Sequence, residues 1–139
     1  MLRYLFDTDH LTLFDQGHAL VGQRLAQEPA GTVGLSPVTV EEYLRGRLAA
    51  LARARTGAER IRRYALLVGS VQMLQNWPIV PFAQGAEDQF RLLLGQKLRV
   101  GTQDLKIAAV ALANSLVVVT RNQRDFGRVP GLTLEDWSA

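Results

Sequence analysis

The chain has 139 residues, of which 47% are hydrophobic and 21% are charged, and its net charge is +3. These values are typical of a globular domain with its own core and exclude an intrinsically disordered chain. Because the sequence has no cysteine, disulfides and thiolate metal sites are excluded as well. With no signal peptide and no apolar run long enough to span a membrane, we expect a soluble, cytoplasmic protein.

Short apolar runs predict the β-strands, and amphipathic stretches between them predict the helices. The strands are expected at residues 2–6, 32–35, 79–82, 116–120 and, as a shorter run, 132–135. Helical spacing of apolar residues follows at Tyr64–Leu74, from Phe90 to near Gly101, and after Asp104. Alternation of strands and helices predicts an α/β fold, in which helices cover both faces of a mostly parallel sheet of four to five strands. We expect residues 1–139 to form a single domain.

Positive charge is concentrated between residues 45 and 63, where seven arginines accompany a single acid, Glu59. The remainder of the chain is therefore acidic overall. Such a segment is typical of a surface that binds a polyanion or an acidic partner, and equally of a solvent-exposed helix face. The sequence leaves its role open.

Four acidic residues are expected at one edge of the sheet. Asp7 and Glu42 follow the first and second strands, Asp104 begins the helix before the LVVV strand, and Asp125 follows that strand. Because the carboxyl ends of parallel strands and the amino ends of the connecting helices share one edge, the four carboxylates should converge although they are distant in sequence.

Each acid also has a purely structural explanation. Asp7 is a suitable N-cap for a helix starting near residue 9, and Thr39 with Glu42 fits a capping box. Asp104 complements the dipole of its helix, and Asp125 is typical of a turn. Taken together, however, four carboxylates at one edge repel one another unless a cation lies among them. The joint pattern therefore predicts a metal site.

Oxygen ligands favour Mg²⁺ or Mn²⁺, whereas zinc prefers imidazole or thiolate. The only histidines are His10 and His18, and we expect His10, despite its position near the acids, to be a packing or surface residue. Mg²⁺ held by carboxylates typically acts on phosphate groups.

One phosphate chemistry consistent with the first motif is that of the haloacid-dehalogenase-type phosphatases, with Asp7 of the Asp7-Thr8-Asp9 sequence as nucleophile. Thr39 is a candidate for the second-motif hydroxyl, and Lys97 or Lys106 for the required lysine. The downstream acidic pair that such enzymes use to hold Mg²⁺ is missing, so this remains the second hypothesis.

Five motifs occur in order between residues 4 and 137: LFDTD, SPVTVEEYLRG, GTQDLKIAAVALA, VVVTRNQRDF and GLTLEDW. On these motifs the chain resembles the PIN-domain endoribonucleases, specifically the VapC-type toxins of bacterial type II toxin–antitoxin pairs. The departures are Asp9 where many members carry Asn, Tyr43 where Leu is commoner, and Lys106 where the position is often apolar. None of them removes an acid.

The resemblance implies a PIN-like three-layer α/β/α sandwich and hydrolysis of RNA phosphodiester bonds by metal-activated water. It further implies a cognate antitoxin and a homodimer or dimer of dimers. For the Arg45–Arg63 segment, contact with RNA, contact with the antitoxin and a solvent-exposed surface are the alternatives. A non-catalytic PIN-like RNA-binding protein is a further alternative. By the same resemblance, the metal ligands would be Asp7, Asp104 and Asp125, and Glu42 would act on the attacking water. The supporting polar residues would be Thr8, Thr120 and Asn122. The contacts to phosphate would come from Arg121 and Arg124.

The two tryptophans are expected to pack in the interior and not to stack on bases. Trp77 precedes a proline at a helix-to-strand corner, and Trp137 lies near the end of the chain.

Overall fold

The sheet consists of four short strands, β1 (Tyr4–Phe6), β2 (Val33–Leu35), β3 (Val117–Val119) and β4 (Leu134–Glu135), in a computed structural model that describes residues 1–139. Their order in the sheet is β2-β1-β3-β4, and all neighbours are parallel. Tyr4 lies between Val33 and Val117 in the register. The prediction of a parallel sheet is confirmed.

Seven helices connect and cover the strands. None of them is long and apolar enough to cross a lipid bilayer. In chain order they are α1 (Thr8–Asp15), α2 (Ala19–Gln27), α3 (Pro37–Ala52), α4 (Gly57–Leu74), α5 (Gln84–Gly95), α6 (Thr102–Ala113) and α7 (Gln123–Phe126).

Alternating side chains of the central strand face two separate cores. Leu5 packs with apolar residues of α5 and α6, such as Leu93 and Ile107, on one face of the sheet. Tyr4 and Phe6 pack on the opposite face, with α1, α2 and the C-terminal segment. Since successive residues of a strand point to opposite faces, this short strand stabilises both outer layers. The three-layer α/β/α sandwich is confirmed.

Both tryptophans are packing residues, as predicted. The ring of Trp137 lies edge-on against Tyr4 and Phe6, with centroids 5.0 Å and 5.3 Å away. Trp77 contacts Phe6 and Phe14, each at a centroid distance of 5.5 Å. Edge-to-face aromatic pairs add to the stability gained from burial alone, so the C-terminal segment is fixed to the central strand.

The strand predicted at residues 79–82 does not form. Only a single parallel bridge joins Ile79 to Leu35, through bonds from Leu35 N–H to the Pro78 oxygen and from Val80 N–H to the Leu35 oxygen, both 2.9 Å. The next bond of a parallel ladder would need an N–H at residue 37, but Pro37 has none and begins α3, so the pairing stops after one bridge.

Two predicted helices differ in detail from the structure. The helix expected to run to Gly101 ends at Gly95, because Lys97 and Arg99 adopt positive φ angles of 53° and 49°, which are incompatible with a continued α-helix. In α4 the predicted apolar stripe is divided: Leu74 is buried, whereas Tyr64 and Val68 are exposed. One side of α4 packs against the domain, and the other side is left uncovered.

The order of the strands creates a crevice between β1 and β3. From β1 the chain crosses to β2 on one side, and β3 lies on the other side of β1. Ligands of parallel α/β sheets bind beyond the carboxyl ends of the strands at such a switch point. Asp7 directly follows β1 at this crevice, and its N–H donates to the Val119 oxygen of β3 at 3.2 Å.

Candidate active site

A polar cleft of about 400 Å³ lies beyond the carboxyl ends of β1 and β3. It collects side chains from α1, α3, α6 and the segment after β3, which are far apart in sequence. Its lining residues include three of the four predicted acids. The complete lining consists of Asp7, Thr8, Asp9, Glu42, Asp104, Arg121, Asn122 and Phe126. The convergence expected from the sequence is therefore present for Asp7, Glu42 and Asp104.

Asp7 combines two roles that the sequence presented as alternatives. It is the N-cap of α1, and its Oδ1 accepts the His10 N–H at 2.8 Å. It also lines the acidic cleft, although its exposed fraction is only 5%. The cap bond fixes the carboxylate in one orientation, and the second oxygen takes no part in it.

His10 is a packing residue, as predicted, and it connects the C-terminal segment to α1. Its ring is fully buried, and Nε2 accepts the backbone N–H of Trp137 at 3.2 Å. Nδ1 lies 3.7 Å from Asp7 Oδ1. The bond from Trp137 to His10 therefore holds the first turn of α1 in place.

The capping box predicted for Thr39 and Glu42 is wrong. The N-cap of α3 is Ser36, whose hydroxyl accepts the Thr39 N–H at 3.2 Å, and Pro37 occupies the first helical position. Proline is favoured there because its missing N–H has no helical partner anyway. Glu42 consequently lies in the second turn and points to the cleft, where its Oε1 accepts a 2.6 Å hydrogen bond from the Thr8 hydroxyl.

Asp104 lies in the first turn of α6, as predicted, and its environment is unusual for a carboxylate. Burial, followed by the charges of Glu42, Asp7 and Asp125, raises the pKa of Asp104 to about 6. A carboxylate whose ionisation is opposed in this way is typical of a site that binds a cation.

Asp125 borders the cleft through the short helix α7. Asn122 caps that helix, and its side-chain amide donates to Asp125 Oδ2 at 3.1 Å. The buried hydroxyl of Thr120 accepts the Asn122 N–H at 2.8 Å. Asp125 is not itself a lining residue of the cleft, but its charge contributes to the raised pKa of Asp104.

The two arginines predicted to contact phosphate are placed differently. Arg121 lines the cleft and forms a two-pronged ion pair with Asp9, with distances of 2.7 Å and 2.8 Å. Arg124 is exposed on α7 and is not a lining residue. The sequence did not indicate the Asp9–Arg121 pair, although opposite charges just after two adjacent strands are a usable signal. Asp9 lies in the first turn of α1, and the N-cap of this helix is Asp7.

The donor set fits a hard divalent cation. Ligand atoms of Asp7, Asp9 and His10 lie within 4.8 Å of one another, but Arg121 already engages both oxygens of Asp9. The remaining donors facing the cleft are carboxylate oxygens, with no thiolate, so the site suits Mg²⁺ or Mn²⁺ chemistry better than zinc. These residues can hold a divalent metal.

Comparison with known proteins agrees with the class of protein predicted from the sequence motifs. The model of the PIN domain family matches residues 4–132. The tRNA(fMet)-specific endonuclease VapC of Salmonella typhimurium is 34% identical over 104 residues, 74% of either chain. An endonuclease of the same name from Shigella flexneri is 29% identical over 139 residues, 99% of this chain and 100% of that one. The crystal structure of DNA-bound VapBC from Salmonella typhimurium has a TM-score of 0.79 and 26% identity, with 99% of both chains covered.

The chain belongs to the PIN-domain family. Within it, the chain is a VapC-type endoribonuclease of a toxin–antitoxin system, and the prediction from the five motifs is confirmed. The phosphatase alternative is wrong, since the family is a different one and neither Lys97 nor Lys106 lines the acidic cleft.

Proposed function

We propose that this VapC-type endoribonuclease depends on Mg²⁺ or Mn²⁺ and hydrolyses RNA phosphodiester bonds at the acidic cleft, with residues 1–139 acting as one PIN domain. The observation that carries the proposal is the placement of Asp104, whose pKa rises to about 6 because it is half-buried beside three other acids. A divalent cation compensates such a cluster, and phosphate is the substrate group most often handled by carboxylate-held Mg²⁺.

Asp7, Asp104 and Asp125 would hold the metal, directly or through water. Hydrogen bonds from the His10 N–H and the Asn122 amide fix the orientations of Asp7 and Asp125. Such supporting bonds keep ligands in place and are needed for metal affinity. When bound, the cation supplies an acidified water and neutralises charge on the phosphate.

Glu42 is the residue best placed to accept a proton from the attacking water. One of its oxygens is held by Thr8, while the other is free of protein donors. Thr8 is itself fixed by its position in the first turn of α1 and by Thr39, whose hydroxyl lies 3.2 Å away. A carboxylate held in this way stays aligned with its target, which general-base catalysis requires.

For the substrate we propose transfer RNA. This rests on the two relatives named as tRNA(fMet)-specific endonucleases, one of which matches this chain over nearly its whole length. Small nucleases select RNA chiefly through exposed loops and unpaired bases, and the open cleft gives such a segment access to the acids.

For the partner we propose a cognate antitoxin, acting in the cytoplasm on a homodimer or dimer of dimers of this chain. The matched Salmonella structure is a VapBC complex. The uncovered side of α4 supports such an assembly, because exposed apolar side chains of this number mark an interaction surface: Ile61, Tyr64, Val68 and Val71. The neighbouring arginines between residues 45 and 63 favour an acidic partner there.

The metal requirement is tested by incubating purified protein with bulk tRNA in the presence of Mg²⁺ or Mn²⁺, and again in EDTA. We expect cleavage with either metal and none in EDTA. Cleavage that persists in EDTA would contradict metal dependence, whereas RNA binding without cleavage under any metal would favour the non-catalytic alternative. A single depleted tRNA species, identified by sequencing the 5′ ends of the fragments, would define the substrate.

Arg121 is proposed to contact an RNA phosphate at the mouth of the cleft. Because it is exposed, Arg121→Ala should leave the fold intact, raise KM for RNA several-fold and reduce the slope of log affinity against log salt by about 1. Asp9→Asn, which frees the guanidinium from its ion pair, should bind RNA at least as tightly as wild type. Arg91→Ala, at another exposed arginine that pairs with an acid, is the control. Equal weakening by Arg91→Ala would refute a specific role for Arg121.

A further inference from the structure

A second polar cleft of about 300 Å³ adjoins the acidic cleft, with Thr8 and Glu42 as shared walls. It runs between the C-terminal half of α1 and the middle of α3. Its remaining lining residues are Thr12, Asp15, Gln16, Tyr43, Gly46 and Arg47. The two clefts therefore lie next to each other, with the acidic cluster in one and an arginine in the other.

The cation is Arg47, and its guanidinium is held by three other helical residues. Nε donates to the Ser70 hydroxyl of α4 at 2.8 Å, and Nη2 donates to the Tyr43 hydroxyl at 3.1 Å. Asp15 Oδ2 lies 3.6 Å from Nη2. The remaining nitrogen, Nη1, has no hydrogen-bond partner in the protein. Arg47 is therefore a preorganised donor with unused capacity, which is how arginine recognises phosphate or a base edge.

Arg47 offsets one of the two acids of this second cleft, Asp15, and leaves only Glu42, which is shared with the acidic cleft. The Asp15 carboxylate accepts a hydrogen bond from the Tyr43 hydroxyl and is paired with Arg47. Burial and the contact with Asp15 raise the pKa of Tyr43, so its hydroxyl remains a donor. Thr12 and Gln16 add neutral donors and acceptors. A polyanion is repelled far less here than among the four acids.

We propose that this second cleft binds the nucleotide next to the scissile phosphate, with Arg47 Nη1 donating to that nucleotide and the side chains of Thr12 and Gln16 contacting its ribose or base. The inference rests on the proposed function, since it needs RNA to be cut at the acidic cleft. A polar cleft of this volume, with a few fixed donors, is suited to one small polar group. RNA is selected through such contacts to unpaired nucleotides.

Gly46 allows the cleft to be filled without disturbing the fold. A Cβ atom added at Gly46 would meet no atom outside its own stretch of helix within 4 Å, and replacing a glycine inside a helix raises helix propensity. Gly46→Leu should therefore fold at least as stably as wild type. Gly69→Leu, at a glycine of α4 where an added Cβ is equally unobstructed, is the matched control outside both clefts.

The test measures cleavage of single-stranded RNA oligonucleotides that span the mapped cleavage site and vary at the nucleotides flanking it. Gly46→Leu should lower kcat/KM by roughly tenfold or more and reduce discrimination between the flanking nucleotides. Its Mn²⁺ affinity, measured by calorimetry, should equal that of wild type. Gly69→Leu should match wild type in all three measurements.

Cleavage and discrimination unchanged in Gly46→Leu, while wild type cuts RNA, would overturn this inference and leave the proposed function standing. Unchanged cleavage with lost inhibition by the antitoxin would identify the cleft as a protein-binding site and would likewise overturn it. Failure of wild type to cut RNA with any metal would remove the proposed function, and this inference with it.

Discussion

The Asp7→Asn variant is expected to lose at least about a hundredfold in RNA cleavage while folding like wild type, because a charged ligand is lost but the helix cap is retained. Asparagine caps helices as well as aspartate does, so the amide oxygen can still accept the His10 N–H that Asp7 accepts at 2.8 Å. The measurement is the rate of tRNA cleavage with Mg²⁺, together with urea unfolding.

Asp7→Ala separates the two roles of this side chain. It should lose cleavage to the same extent and, unlike Asp7→Asn, also lose about 1 kcal/mol of stability with the cap. Asp88→Asn is the matched control, since Asp88 is an exposed acid of α5 that lies outside the cleft. Equal RNA loss with wild type and Asp7→Asn would identify a contaminating ribonuclease and would remove the evidence for the proposed site.

The second large effect is expected from Asp104, through stability and its dependence on pH. Burial and the charges of Glu42, Asp7 and Asp125 raise the pKa of Asp104 in the folded protein from 3.8 to about 6. Between these two values the folded protein retains a proton that the unfolded chain has released, so the contribution of Asp104 to stability falls as pH rises through this interval. Because the group is only half-buried, we expect a loss of about 1 kcal/mol at neutral pH.

Asp104→Asn should therefore be more stable than wild type at neutral pH in EDTA, and this difference should vanish toward about pH 4, below the folded pKa. Mg²⁺ should reverse the order at neutral pH by stabilising wild type more than the variant. Urea unfolding of both proteins at several pH values, with and without Mg²⁺, measures these differences. A variant less stable than wild type at neutral pH in EDTA would show that Asp104 stabilises the fold, contrary to this expectation.

The gain in stability expected from Asp104→Asn describes a carboxylate that is kept in the site at the expense of stability. Arg121 pairs with Asp9 and Arg128 lies 3.3 Å from Asp125, but no arginine or lysine pairs with Asp7, Glu42 or Asp104. Strain of this kind is characteristic of functional sites, where residues are kept for chemistry although replacing them would make the fold more stable.

The sequence by itself determined the fold class and the convergence of Asp7, Glu42 and Asp104 at one edge of the sheet. Parallel strands follow from uninterrupted apolar runs such as residues 116–119, because only a strand covered on both faces can be apolar throughout. The position of Asp7 immediately after the first strand, and of Asp104 in the first turn of its helix, followed from local patterns and is borne out. Ordered motifs also identified the family.

Local patterns failed where long-range contacts decided the outcome. The capping box at Thr39 and Glu42 matched its pattern, but Ser36 and Pro37 start the helix earlier and leave Glu42 to bond Thr8 of another helix. The strand at residues 79–82 was apolar enough, yet Pro37, at the end of the neighbouring strand segment, offers no N–H for a second bridge.

Only the tertiary structure joined Arg121 to Asp9 and held Arg47 between α1, α3 and α4. Both arrangements depend on the distance and direction between side chains that are remote in sequence. Charge and periodicity report which residues are polar and which face the core, but they do not report which cation meets which acid. That choice is made when the helices pack against the sheet, because packing fixes the positions from which the side chains reach each other.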